Sequence, residues 1–386
     1  MTKVNLPASF MALFLGTAAA TGAVGVMATS AQAAPVSAKV ATLLNEAQDL
    51  ATAGNYSAAM TKADEAKAAG SSQDDADMIR QVKQYIGARS GDPVMGGALG
   101  AKVKLANDYN AGRFHDVIAD GEFLRRSGAL DSQSVSIIAQ SYYKTGNVTG
   151  CVRFVNTHIT VASDVALDLQ VRCAYETGDE VSQRLTLETL VGRSEKPENW
   201  KDLLSLSERM HGLSDHNALD ISRIRLLAAG PETKNDYIQL AELALQFGDA
   251  AEAKSVIEKG MSDKLLNDDR SARMLTLAKR QAAANAANLS KSIAAAQALL
   301  QGDALVKVGE DMIGQGKAKE AIDIIQQGLK KPLKDAANGA IRLGQAYLAA
   351  GQKADARKAF AAVKEPETDA TVAQLWTLAS RLKAGV

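Results

Sequence analysis

Aromatic residues make up only 4% of this 386-residue chain, although 46% of its residues are hydrophobic. A core built from such a chain must be aliphatic and rich in small side chains. Seven prolines over this length leave room for long helices. Neither sign of charge is in excess, since Lys+Arg and Asp+Glu both number 44. The balance gives no footing for nucleic acid or an anionic membrane surface as partner. Residues that carry chemistry are scarce as well. The four histidines, His115, His158, His211 and His216, are scattered, and His211 and His216 are five apart. That spacing puts them on different faces of a helix, unlike an i, i+4 metal pair. No HExxH, GxSxG, P-loop or dinucleotide-binding glycine pattern occurs. The acid pairs Asp74-Asp75 and Asp268-Asp269 suit helix N-termini, where the helix dipole favours them. The sequence therefore points to no catalytic residue, no cofactor and no metal ligand.

Residues 1–33 have the pattern of a cleaved signal peptide. Lys3 makes a short basic start, Phe10 to Ala28 is apolar, and Thr29 to Ala33 (TSAQA) ends in an A-x-A site. Export to the periplasm is the expectation, with no membrane insertion once the leader is removed. An uncleaved anchor is the rival, and the many Ala, Gly and Thr residues of the run make it weakly apolar for that role. Only Cys151 and Cys173 occur, and an even count in an exported chain permits a disulfide. Closing that loop would stabilise the fold by about 3 kcal/mol in the chain-entropy model. The alternative is two small core residues that never meet. Cys151 falls where helix packing needs a compact side chain, and a buried thiol is a poor nucleophile.

Leu343 to Phe360, LGQAYLAAGQKADARKAF, organises the rest. It reads as two short amphipathic helices joined at Gly351, with Gly344 and Ala356 small enough to let the two helices approach. The same pattern recurs around Gly54, Gly112, Gly146, Gly178, Gly212, Gly248 and Gly316. Successive spacings are 58, 34, 32, 34, 36, 68 and 35 residues, and 68 is twice 34. A 34-residue helix-turn-helix period resembles the tetratricopeptide repeat, or TPR. The resemblance is clearest in Leu240 to Gly260, Val308 to Gly328 and the stretch just quoted. It implies an all-α, right-handed superhelical solenoid of about eight helix pairs. The Pro-x-x-Trp at Pro197 to Trp200, together with DYIQLAELALQFGDAAEAKSVIEKG, further resembles a group of exported TPR proteins of proteobacteria. That group implies fold and compartment and no reaction.

Within this frame, residues 34–90 are expected to form N-terminal TPR-like helices, and 91–100 (GDPVMGGALG) a Gly-rich linker and joint. The solenoid fills 101–386. Asp268 to Gln301 reads as a long Ala-rich helix where a turn glycine is missing, with Asn285 to Ser290 as an expected interruption. Trp200 and Trp376 suit packing, and Ala370 to Leu382 suits a helix that caps the last repeat.

In such a superhelix the first helix of each pair lines the concave face. Three residues before the turn glycine, successive repeats carry Tyr109, Tyr143 and Tyr175. Around them stand Lys102, Asn110, Gln140, Lys144 and Arg172, with Asp168 and Glu176. Tyrosine offers a broad apolar face and a hydroxyl, and Lys or Arg pairs a peptide carboxylate. This mixture suits an extended peptide or an envelope protein held in the groove; the alternative is tyrosines that only fill gaps between helices. Further on, the equivalent positions are Leu245, Ile313 and Leu348 beside Glu242, Glu310 and Gln345, an aliphatic and acid-leaning groove. The leading expectation is a non-catalytic periplasmic scaffold. A carrier for a small apolar ligand between the Ala-rich C-terminal helices is the second reading, and an envelope enzyme the third.

Overall fold

The computed structural model describes residues 36–382, all-helical apart from turns; the expected leader lies outside them. Eight helix pairs follow one another. They are α1 (Ala38–Thr52) with α2 (Tyr56–Ala69), α4 (Gly97–Asn110) with α5 (Phe114–Arg126), α6 (Ser132–Lys144) with α7 (Val148–Thr157), and α8 (Asp164–Thr177) with α9 (Glu180–Arg193). Then come α10 (Pro197–Ser207) with α11 (Asp215–Ile224), α12 (Lys234–Phe247) with α13 (Ala250–Ser262), α15 (Asp303–Gly314) with α16 (Ala318–Leu329), and α17 (Ala336–Ala349) with α18 (Lys353–Ala361). Three helices stand outside the pairs: α3 (Gln73–Ser90), α14 (Asp269–Ala298) and the last, α19 (Glu367–Ala379). This is the all-α helix-turn-helix architecture that the TPR resemblance implies.

The turn glycines explain the period. All eight named from the sequence have positive φ, between +69° at Gly178 and +85° at Gly54 and Gly248. No Cβ is tolerated cheaply there, which is why the residue type repeats. At every one except Gly212 the next residue donates its N–H to the carbonyl five positions back, as from Gln352 to Tyr347 at 2.8 Å. That bond satisfies an orphan carbonyl at the end of the first helix and aims the chain into the second.

The chain divides into two compact units, 36–182 and 183–382 among the described residues. In the first, an alanine-rich core joins α1 to α3 through Val40, Leu44, Ala59, Ala63, Ile79 and Val82. The interval 91–100, the expected Gly-rich linker, packs closely against the end of α3. Gly91 ends α3 in the left-handed region, and α4 begins at Gly97. A Cβ on Gly96 would lie 2.4 Å from the Ala88 nitrogen, and one on Gly100 2.2 Å from the Asp92 carbonyl oxygen. Glycine is there for proximity.

In the second unit, α14 runs unbroken for 30 residues, about 45 Å at 1.5 Å per residue. The interruption expected at Asn285 to Ser290 is absent. Asn285 Nδ2 donates instead to the Gly248 carbonyl (3.0 Å), tying α14 to the α12–α13 turn, and Asn288 bonds back to Ala284 (2.9 Å). Helix α19 also does more than cap. It packs on α18 and α17 and returns to α11, where Asn217 bonds Asp369, while Arg184 on α9 donates to Thr371 Oγ1 at 3.1 Å. The second unit closes on its own beginning.

Gly344 gives a direct test of the packing. A Cβ there would lie 2.3 Å from Cε1 of Phe360, which is itself buried. The glycine makes room for the Phe360 ring, so α17 and α18 meet over an aromatic plug. Overpacking costs about 1–3 kcal/mol, while leaving glycine in a helix returns about 1 kcal/mol. Gly344→Leu, which extends well past the clash, is expected to lower the urea midpoint of the second unit. An unchanged or higher midpoint would show that Phe360 is free to move.

Candidate functional site

Helices α4, α6 and α8 pack side by side in the first unit, and their repeat register puts the three tyrosines in one row. Tyr109, on the last turn of α4, donates its hydroxyl to Gln140 Oε1 on α6 and meets Phe114 edge-on at 5.7 Å. Tyr143, on the last turn of α6, donates to Glu176 Oε1 on α8 at 3.0 Å. The Arg172 guanidinium lies 4.9 Å from the Tyr143 ring centroid and bonds the same Glu176 oxygen at 3.2 Å. That is cation–π geometry with the cation held in place by a carboxylate. Burial pushes the Tyr109 phenol up; burial and then Glu176 do the same for Tyr143. Both hydroxyls stay protonated and donate.

The remaining sequence candidates divide. Lys102 on α4 reaches Asp131, which caps α6, at 2.6 Å. Asn110 and Lys144 are exposed at helix ends. Tyr175, at the end of the row, is 72% exposed. Tyr109 and Tyr143 brace neighbouring helices through their hydroxyls, and Tyr175 offers its ring to solvent.

Cys151 on α7 and Cys173 on α8 are free and fully buried. They share a core cluster with Val152 and Ala174. The bond with Cys173, together with burial, raises the Cys151 thiol far above its ordinary range. In this state it is no nucleophile.

A second cluster, in the second unit, is mostly absent from the sequence candidates. Arg342 on α17 is fully buried and holds Asp220 of α11 with two nitrogens, at 2.6 and 2.9 Å. It also reaches Glu310 Oε1 on α15 at 2.8 Å. Arg223 on α11 reaches the same Glu310 oxygen at 2.9 Å, Asp249 at 3.1 Å, and Glu252 through two bonds of 2.6 and 2.8 Å. Four carboxylates therefore face two guanidiniums. Burial opposes charge on Arg223, and Glu252 and Glu310 outweigh it, holding Arg223 well above its ordinary value. Burial, with Glu310 beside it, pushes Asp249 well up. Glu310 is held low because Arg342 and Arg223 overcome its own burial.

Glu310 and Gln345 were expected to line an open acid-leaning groove. Both are largely covered by neighbouring helices and line a partly open cavity of the second unit. Glu242 pairs with Arg270 at the start of α14, and Leu245 packs into the α11–α14 core. Ile313 and Leu348 line a cavity of about 540 Å³ bounded by α11, α12, α13, α15, α17 and α19. Its wall includes Arg223, Glu252, Glu310 and Gln345. Among the described residues, no group of three or more His, Cys, Asp or Glu is placed to hold a metal ion, and no helix is long and apolar enough to cross a membrane.

No family model and no curated protein matches the chain. Among solved structures it is similar to a tetratricopeptide repeat protein from Parabacteroides merdae, at 10% identity, with 88% of this chain and 98% of that one covered and a TM-score of 0.21. It is likewise similar to the TPR domain of P58(IPK), at 14% identity, with 89% and 98% covered and a TM-score of 0.21.

Proposed function

We propose that the chain is a non-catalytic, periplasmic scaffold whose tyrosine row on α4, α6 and α8 takes extended segments or helices of other envelope proteins. One observation carries the reading. Tyr109 and Tyr143 are fixed by bonds to the next helix, and the row ends in a tyrosine that is 72% exposed. An aromatic surface already held in place loses little entropy on binding, and tyrosines are common anchors of such contacts. The exposed Lys144 beside Tyr143 suits a partner carboxylate. The compartment rests on the leader pattern of residues 1–33 and on the resemblance to exported proteins.

Cross-linking in cells from a photoreactive residue at position 175 is expected to capture a defined envelope protein. Tyr143→Ala is expected to weaken that capture by about tenfold or more, the scale of one binding hot spot, while circular dichroism stays helical. Capture that survives Tyr143→Ala, in a variant that keeps its helices, would reduce the row to a packing device.

A further inference from the structure

From the cavity of the second unit we infer a binding site for an organic ammonium ion with an aliphatic tail. The site is distinct from the tyrosine row and does not depend on it. Its volume, about 540 Å³, falls within the roughly 300–1,000 Å³ range of small-molecule pockets. The walls supply the tail's environment: Leu226, Leu227, Val256, Ile313, Leu348 and the ring of Trp376. Leu226 and Leu227 come from a π-helical turn, Arg225–Ala229, that continues α11. Such turns are frequent at functional sites, and this one sets two large aliphatic side chains against the space.

The charged part of the wall selects the head group. Glu252 and Glu310 both line the cavity, with Arg223 between them. Behind them stand Asp220, Asp249 and Arg342, so carboxylates outnumber guanidiniums by four to two. A proton on Asp249 would still leave the carboxylates in the majority. Both arginine bonds to Glu310 fall on Oε1, so neither occupies its second oxygen. Asp249 Oδ1, buried behind the cavity wall, has no hydrogen-bond partner. The cluster thus has acceptors to spare, and Lys259, the other cation on the wall, is already paired with Asp263 at 3.0 Å. A carboxylate ligand would meet this surplus as like charge, whereas an ammonium supplies the missing positive charge and N–H donors. An uncharged alcohol would gain the apolar contacts and one neutral O–H donor, without the charge.

Titration calorimetry on the full chain with octylammonium chloride, sodium octanoate and 1-octanol separates these cases. Octylammonium is expected to saturate at one per chain and to bind about tenfold or more tighter than the other two, as a desolvated charge contact allows. Leu227→Trp, which puts a larger ring into the cavity, is expected to abolish saturable binding. Glu252→Gln is expected to weaken octylammonium and leave 1-octanol unchanged. Equal or tighter binding of octanoate or octanol overturns the inference, as does the absence of saturation. Octylammonium binding untouched by Leu227→Trp overturns it too, by placing the ligand elsewhere. Should Glu252→Gln fail to fold, the head-group comparison on the native chain decides alone.

Discussion

A chain ended at Pro366 is expected to lose the sharp thermal transition of its second unit and to self-associate, because α19 closes that unit. Val372, Leu375, Trp376 and Leu378 are all buried on this helix. Each large apolar side chain contributes on the order of 2 kcal/mol when fully buried. Removing four is large against a total stability of about 5–15 kcal/mol for a typical domain. The ordering entropy of the lost helix offsets part of this. The surfaces it uncovers gain no such compensation: Phe360, which stacks on Trp376 at 6.1 Å, and the α11 face that holds Asp369 through Asn217. Arg184 loses both Thr371 and Glu367. Circular dichroism melts and light scattering of the truncated and full chains check this. A soluble truncated monomer with a single sharp melt near that of the full chain would return α19 to the status of a simple cap.

The repeat was legible because its determinant is local. A left-handed residue after each first helix demands glycine wherever it occurs, so the period survives in eight copies whose other residues differ. The same local logic located the tyrosine row, since register three residues before the glycine sets which side of the helix a side chain takes. It also located α14, where no glycine falls. It failed where a partner distant in the chain decides. Asn285 has low helix propensity, yet its bond to Gly248 makes it a fastener inside α14. Asn217 and Asp369 are 152 positions apart, and nothing near either residue announces the closure they join. That closure explains the misreading of Glu310 and Gln345. Register turned them inward, but no periodicity tells an open groove from a partly enclosed cavity. The trace of the cluster in the sequence is Arg342, a lone charge in the apolar run AIRLGQAYL. Such a residue on a helix that is otherwise buried needs a carboxylate from another element.

Arg342 is accordingly where one substitution should cost most. All three guanidinium nitrogens are engaged: Nε with Asn338, one terminal nitrogen with Asp220, Gln345 and Glu310, the other with Asp220. Arg342→Met keeps much of the side-chain volume and removes the charge, leaving Asp220, 1% exposed, without its principal cation. Breaking a buried pair in this way costs about 3–5 kcal/mol, measured as the loss of unfolding free energy in urea. An exposed pair such as Arg172–Glu176 is worth only about 0–1 kcal/mol, so Arg172→Met is the matched control. The double variant Asp220→Asn with Arg342→Met separates the two sources of the cost. If an unpaired buried carboxylate is the source, the pair of changes will cost less than Arg342→Met alone, since the second change removes the stranded charge. Additive costs would show instead that Asp220 and Arg342 hold the unit through different partners. A loss from Arg342→Met no larger than the control would mean that closure of the second unit rests on α19 and its apolar face, with the ionic cluster left to set the charge of the cavity.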